Sequence, residues 1–401
     1  MGKLRSKQRL EVRSIVADLT IKGMSNKLII QNIFNTMGQT ISDRTLHYIE
    51  SLFKFLRILK ISYSKFSTWN ISFLAVIIIV FISLPLASGS LFVSGVSGAE
   101  PTSILIANAT KYELVNRWGQ QGNGDGQFGR PHDLDFSPSE DKLYIIDRDN
   151  QRVQVFDKSG KFLFKWGQEG NGDGQFKLPY GLDVDEEGNV WIADRTNNNI
   201  QKFDAQGNFL FRFGSNGSKP GQFYNLRDVV VDEALRYVYA SDSNNHRIQK
   251  FDIKGNFIKS FGTLGNDSGL FNVPTTVTLD SKGYLYVTER GNERVQKLDT
   301  EGNSILMWGS KGSGPNQFCH IEHMAVDKFN NIYVNDPQSD PGCGHEAAIK
   351  KFDSDGKFVT KIVIPGVDPD PEHLAIDSDG NVYVSLRGFN EIRVYKPLIE
   401  K

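Results

Sequence analysis

The chain has 401 residues, a formal net charge of −1 and 39% hydrophobic residues, so it holds apolar material for a large core. The neutrality is an average of unlike parts: residues 1–69 carry 12 Lys/Arg against 4 Asp/Glu, residues 71–95 carry no charge, and the remainder carries 34 against 43. A net of −9 on that remainder argues against phosphate-backbone binding as its work, because such binding needs a basic surface.

The basic part reads as three short helices. Val12, Ile15, Val16 and Leu19 form one apolar stripe, stopped by Gly23. Ser25 caps a second stripe of Ile29, Ile30, Ile33, Phe34 and Met37, stopped by Gly38, and Ser42 caps a third with Leu46, Ile49, Phe53 and Leu56. The arrangement resembles a helix-turn-helix module with residues 43–57 in the recognition place. No base-reading pattern accompanies it, so the preferred reading is a cytosolic bundle whose cations lie against anionic lipid or set topology.

Residues 71–95 contain FLAVIIIVFISLPLA, and their 25 uncharged residues exceed the ~20 needed to cross a bilayer. The run begins about seventy residues into the chain, beyond the ~15–30 residues of a secretory signal peptide, and reads as a signal-anchor. Lys54, Arg57, Lys60 and Lys65 precede it and only Glu100 follows closely, which places the N-terminus in the cytoplasm and the rest outside. Asn-x-Ser/Thr sites at Asn108, Asn216 and Asn266 agree with that face. The expected division is a cytosolic segment at 1–66, an anchor at 67–96, a linker at 97–109 and a repeat domain at 110–398.

The repeat domain is organised on residues 128–167: FGRPHDLDF, LYIIDRDNQRVQVFD, GKFLFKWG. Degraded copies follow, and the aromatic residues that end them (Trp118, Trp166, Phe213, Phe261, Trp308) are 48, 47, 48 and 47 residues apart. A period of that length means a propeller or an array. Each copy parses into four short strands rich in β-branched and aromatic residues and bounded by Gly, Asn and Asp, which is one antiparallel blade. Six inner strands are expected to begin near Pro131, Pro179, Leu226, Pro274, Ile321 and Pro371. The sixth copy lacks its outer strand, and residues 111–119 (KYELVNRWG) supply one from the other end, closing the ring and removing two sheet edges.

The pattern Pro-x-x-Leu-x-Val-Asp, Tyr-Val-x-Asp, Asn-x-Arg-Ile-Gln-x-Phe-Asp, Gly resembles the NHL-repeat family over roughly the last three quarters of the chain. That resemblance implies an all-β six-bladed propeller of NHL repeats, here behind an N-terminal α-helical segment and one transmembrane helix. It implies less about function, since the family holds RNA-binding and partner-binding modules and a metal-dependent lyase that makes peptide amides. GRPHDLDF followed by IIDRDNQRVQVF is similar to the lyase segment that supplies a zinc-binding His, which would make His132 a metal ligand and Asp133 its support.

In a propeller, residues just after the repeat Pro converge on one mouth of the central channel. The first position gives His132, Tyr180, Arg227, Thr275, Glu322 and Glu372; the second gives Asp133, Gly181, Asp228, Thr276, His323 and His373. His132, Glu322, His323, Glu372 and His373 are the metal candidates, for zinc or calcium, with Tyr180 or Arg227 across the ring as acid or anchor. Strict strand alternation would set neighbouring positions on opposite faces and keep His132 from sharing a centre with the other two histidines. The turn after the second strand brings Arg148, Arg195, Arg290 and Arg387 to the same mouth, which suits an anionic or carboxylate-bearing ligand. For Asp147, Asp194, Asp242 and Glu289, bonding within turns is the simpler reading.

Both cysteines fall in the fifth copy, Cys319 and Cys343, and a disulfide is their simplest use in an oxidising compartment. Cys319, His320, Cys343 and His345 as a zinc site match no standard finger spacing. The leading expectation is a single-pass cell-membrane protein whose extracytoplasmic propeller binds a protein or small anionic ligand at the channel mouth. The alternative is a metal-dependent lyase or hydrolase at the top of the channel. Nucleic acid is disfavoured for the propeller.

Overall fold

The structure is a computed structural model that describes residues 111–398, apart from 233, 235, 338–345 and 367–369. The expected helices of residues 1–66 and the apolar run 71–95 lie outside the described residues. Among those described, no helix is long and apolar enough to cross a membrane.

Among the described residues, twenty-four strands form six four-stranded antiparallel sheets. After β1 (Tyr112–Trp118), the first blade is β2 (Pro131–Phe136), β3 (Leu143–Asp147), β4 (Arg152–Phe156) and β5 (Phe162–Trp166). The second is β6 (Pro179–Val184), β7 (Val190–Asp194), β8 (Asn199–Phe203) and β9 (Phe209–Phe213); the third is β10 (Leu226–Asp232), β11 (Tyr237–Asp242), β12 (Arg247–Asp252) and β13 (Phe257–Phe261). The fourth runs through β14 (Pro274–Leu279), β15 (Leu285–Glu289), β16 (Arg294–Leu298) and β17 (Ser304–Trp308), the fifth through β18 (Met324–Val326), β19 (Ile332–Asp336), β20 (Ala348–Phe352) and β21 (Phe358–Val363). The last blade joins β22 (Pro371–Ile376), β23 (Val382–Leu386) and β24 (Glu391–Pro397) to β1 in the order β1-β24-β23-β22. Five inner strands start at the residue expected from the sequence. The fifth starts at Met324 rather than Ile321, because Ile321 is buried in the interblade core while its amide bonds the Glu293 carboxylate.

Closure by the N-terminal strand is as expected. Tyr112 pairs with Pro397 and Trp118 with Ile392, antiparallel. The apolar core lies between blades rather than within one. One cluster joins Tyr144, Val153 and Val155 of the first blade to Leu182, Ile192 and Phe203 of the second. The closing seam is built the same way, with Leu134, Ile145 and Phe156 against Tyr383, Ile392 and Val394 and with Trp118 packed on them.

Inner strands are tied across blades by aspartates. Asp133 Oδ2 accepts the Leu182 amide (2.6 Å), Asp183 Oδ2 that of Val231 (2.8 Å) and Asp228 Oδ2 that of Val277 (2.9 Å). Each bond satisfies a backbone donor that the inner edge of a blade would leave unpaired. The bland reading of the turn acids also holds: Asp147 accepts the Gly129 amide and Arg152 Nε, both at 2.7 Å, and Asp242 accepts the Tyr224 amide at 2.8 Å and Arg247 Nε at 2.7 Å.

Candidate functional site

The site begins with a repeated irregularity. Pro131 lies opposite Asp147 but Leu134 lies opposite Ile145, so His132 and Asp133 together face one residue of β3, a β-bulge. The same interruption holds Arg227–Asp228, Thr275–Thr276 and Glu372–His373, and in the second blade it holds Tyr180. A bulge breaks the alternation of side chains, so both residues of a pair turn toward the channel. The three rings are thereby brought close, that of His132 lying 4.2 Å from that of His373, which stacks on His323 at 3.9 Å, yet His132 stays outside the group of ligand atoms that Asp133, His323 and His373 bring together, as strand alternation predicts.

Beneath the mouth these residues form a buried polar cluster. One ligand atom from each of Asp133, His323 and His373 lies within 4.8 Å of the others. His373 Nδ1 is 2.9 Å from Asp133 Oδ1, yet the two lack hydrogen-bond alignment. His132 donates its Nδ1–H to the Tyr180 carbonyl (2.8 Å), which leaves the lone pair on Nε2, 3.4 Å from Glu372 Oε2 and again unaligned. His323 Nδ1 accepts the Leu374 amide at 3.3 Å, so in its neutral form the Nε2 proton points toward Asp133 Oδ1, 3.9 Å away.

Burial holds all three imidazoles well below their usual range; Arg148 adds to this at His132, His373 does so at His323, and His132 does so at His373. Burial pushes the Asp133 carboxyl up to about 8. At neutral pH the cluster is therefore uncharged, three neutral imidazoles beside a protonated carboxyl. Neutral imidazole is the metal-binding form, and a cation would draw the proton from Asp133. Asp133, His323 and His373 would offer a divalent cation one carboxylate and two imidazoles, while the His132 Nε2 lone pair stays outside that group.

Above the cluster opens a cavity of about 440 Å³. Arg148, Arg195, Arg290 and Arg387 all line it, as the turn positions imply, together with Arg227 and Arg130. Glu322 takes Arg227 (3.0 Å), Arg290 (3.1 Å) and His320 Nε2 (2.6 Å). Burial alone would raise the Glu322 carboxyl, but the His320 hydrogen bond and the two guanidinium charges hold it far below the carboxylate range. Glu372 takes Arg387 at 2.8 Å, and Arg387 also pairs with Asp370. Asp149 is shared by Arg148 (3.3 Å) and Arg130 (3.2 Å). Six guanidinium groups thus meet four carboxylates. Arg195 has no carboxylate partner among the described residues: its Nε donates to Asn225 Oδ1 and its guanidinium lies 5.0 Å from the centre of the Tyr180 ring.

Of the metal candidates, then, His323 and His373 share a centre with Asp133, whereas Glu322 and Glu372 belong to the ion pairs of the mouth and His132 stands between the levels. Tyr180 and Arg227 both line the cavity, the Arg227 guanidinium 5.5 Å from the Tyr180 ring centre, and burial raises the Tyr180 phenol. Arg130, Asp149 and Asp370 were not anticipated, and His320 was expected only as a zinc alternative beside Cys319 rather than at the mouth. Arg130 and Asp370 immediately precede inner strands with φ of 67° and 42°, a conformation no residue pattern announces. Cys319 is buried and disulfide-bonded, so it offers no thiolate to a zinc ion. Cys343 and His345 lie outside the described residues.

The chain is a six-bladed β-propeller. A family profile described as 6-bladed beta-propeller matches residues 121–193 and 185–262. Among solved structures it is similar to a streptogramin B lyase (14% identity, 71% of this chain and 97% of that one, TM-score 0.51). It is also similar to a protein of unknown function from Bacteroides thetaiotaomicron (18%, 72% and 76%, TM-score 0.53). A catalytically inactive virginiamycin B lyase from Staphylococcus aureus with quinupristin is a third (12%, 72% and 99%, TM-score 0.50). At these identities the likeness is one of fold. No curated protein sequence matches the chain.

Proposed function

We propose that this propeller, of the NHL type, is a binding module that takes a small anionic or carboxylate-bearing ligand at the channel mouth. The observation that carries this reading is the excess of guanidinium over carboxylate in the 440 Å³ cavity, with Arg195 free of any carboxylate among the described residues. A planar guanidinium pairs bidentately with a carboxylate, and a half-enclosed cavity weakens the screening that salt imposes at an open surface. The basic N-terminal segment and the apolar run at 71–95 support display of the module outside the cell membrane on a single span. A protein that presents an acidic side chain or C-terminus would use the same mouth.

Titration of the purified full-length protein with citrate, followed by calorimetry, tests this. Arg195→Ala should weaken binding roughly ten- to hundredfold, the size of one hydrogen-bonded charge contact at ~1.5–3 kcal/mol. Failure of citrate to bind, or equal affinity in the variant, refutes the reading.

A second reading, a metal-dependent lyase or hydrolase, is favoured by the buried Asp133–His323–His373 group. A divalent cation held there would polarise a carbonyl or acidify a bound water. The residues of this chain would contribute the anion-binding arginines above it and the His132 Nε2 lone pair as a proton acceptor. Lyases occur on this fold, as the streptogramin B and virginiamycin B enzymes show. Elemental analysis of the wild type beside Asp133→Asn and His323→Ala/His373→Ala decides it: sub-stoichiometric metal in the wild type, or undiminished metal in the variants, ends this reading.

A further inference from the structure

The mouth does not end at the arginines. Leu178 and Arg195 also wall a second cavity, of about 480 Å³, which extends outward over the second and third blades along Thr196, Asn216, Tyr224 and Asn244. Apart from Arg195, its lining carries no charged side chain.

Its polar groups are fixed but unspent. Tyr224 is 55% exposed, while its backbone is pinned at both ends: its amide donates to Asp242 Oδ1 (2.8 Å) and its carbonyl accepts the Asn244 amide (3.0 Å). Arg195 Nε donates to Asn225 Oδ1, and Asn225 Nδ2 donates to Asn244 Oδ1 (3.0 Å), a chain that orients the Asn244 amide nitrogen outward. No partner among the described residues engages that nitrogen, the Tyr224 hydroxyl, the Thr196 hydroxyl or the Asn216 side chain. The trough thus offers an exposed aromatic ring on a pinned backbone, with amide and hydroxyl groups around it, and it shares Leu178 and Arg195 with the arginine-lined mouth.

We propose that the ligand is an acidic oligosaccharide, its carboxylate or sulfate held by the arginines and a neighbouring sugar laid on Tyr224 among the asparagines. The inference rests on the anion-binding reading of the mouth and adds the ligand class. Amide and hydroxyl groups match a polyhydroxylated ligand because each can donate or accept, and a flat aromatic ring gives the C–H face of a sugar an apolar partner. A peptide would want an unpaired strand edge and alternating side-chain pockets, whereas this trough is walled by interblade loops and the 3-10 turn Ser243–Asn245. A nucleic acid would want a row of cations, and the trough supplies one.

The test displays full-length protein, produced in a bacterial host so that the Asn216 sequon stays unmodified, to an array of neutral, uronic-acid and sulfated oligosaccharides together with acidic peptides. Acidic oligosaccharides should be retained above neutral ones and above peptides. Calorimetry on the best of them should show roughly tenfold weaker binding for Tyr224→Ala, the size of one well-placed aromatic contact. Tyr224→Phe should keep most of the affinity, and the affinity for the corresponding acidic monosaccharide should not change. Stronger retention of acidic peptides, no retention of any acidic glycan, or a Tyr224→Ala variant equal to wild type overturns the inference. If citrate still binds in an Arg195-dependent way in those cases, the reading of the mouth stands alone; if citrate fails as well, both fall.

Discussion

Closure of the ring by β1 predicts that the seam it makes behaves like the seams between consecutive blades, and the aromatic at the end of each outer strand allows a direct comparison. Trp118 of β1 lies over Gly160 of the first blade as Trp166 lies over Gly207 of the second. A Cβ added at Gly160 would come within 2.6 Å of Trp118 Cδ2, and one at Gly207 within 2.5 Å of Trp166 Cδ2. Both glycines also have positive φ, 87° and 85°. Fully buried Trp→Ala changes cost ~3–5 kcal/mol, and Trp118 and Trp166 are each half-buried, so Trp118→Ala and Trp166→Ala should each cost about 2–3 kcal/mol. Gly160→Ala adds a left-handed penalty of ~1–2 kcal/mol to the clash with the indole. Removal of the indole relieves the clash, so Gly160→Ala should cost less in the Trp118→Ala background than in the wild type. Urea denaturation of the full-length variants, followed by far-ultraviolet circular dichroism, measures all four. A Trp118→Ala cost below ~0.5 kcal/mol beside an intact cost for Trp166→Ala, or strictly additive effects at Trp118 and Gly160, would show that β1 is not seated on the last blade.

Three further outcomes follow from particular residues. Burial lowers the ammonium of Lys351, at the neighbouring seam where the fifth blade meets β1 beside Tyr112 and Tyr333, to about 8 against an ordinary 10.5. The folded protein then binds fewer protons than the unfolded chain between those values, so wild-type stability relative to Lys351→Met should rise as pH climbs from 8 to 10.5; a flat difference refutes the shift. Cys319 and Cys343 should resist alkylation until reduced, and two free thiols in the oxidised protein would discard that pairing. Protease added to intact cells or spheroplasts should degrade residues 110–398 and spare 1–65, and protection of the propeller instead would invert the topology.

The fold was legible because the repeat carries its own punctuation. The aromatic-Gly ends gave the period, a Pro at four inner strands gave their starting residues, and the missing outer strand of the sixth copy had only residues 111–119 to complete it. Copy five was read less well. Its inner strand has His-Ile-Glu-His where four others begin with Pro, and the segment joins the ladder only at Met324, the Ile321 amide bonding the Glu293 carboxylate instead. The interblade aspartates were visible as letters but not as a function. Asp133 and Asp228 share one strand position while Asp183 stands two residues further along, and only the stagger between neighbouring blades shows each one reaching an amide of the next.

The site was legible as a list and illegible as an arrangement, and the bulge accounts for both. Counting from the repeat Pro collects the channel-facing residues whatever the strand does afterwards, His132, His323 and His373 among them, and the turn after the second strand collects the four arginines that line the cavity. Which of them meet depends on how many residues of β3 or β23 oppose them, and that number is a property of pairing rather than of either strand alone. With a regular ladder, His132 and Asp133 would face apart. With two residues opposite one, Asp133 reaches His373 below while His132 turns up toward Glu372, and the polar ring divides into two levels. The division sorts the chemistry by charge. Burial neutralises the lower level, where imidazoles and a protonated carboxyl are suited to a cation. In the upper level each carboxylate has a guanidinium partner, and the guanidinium left over is the one that faces the trough.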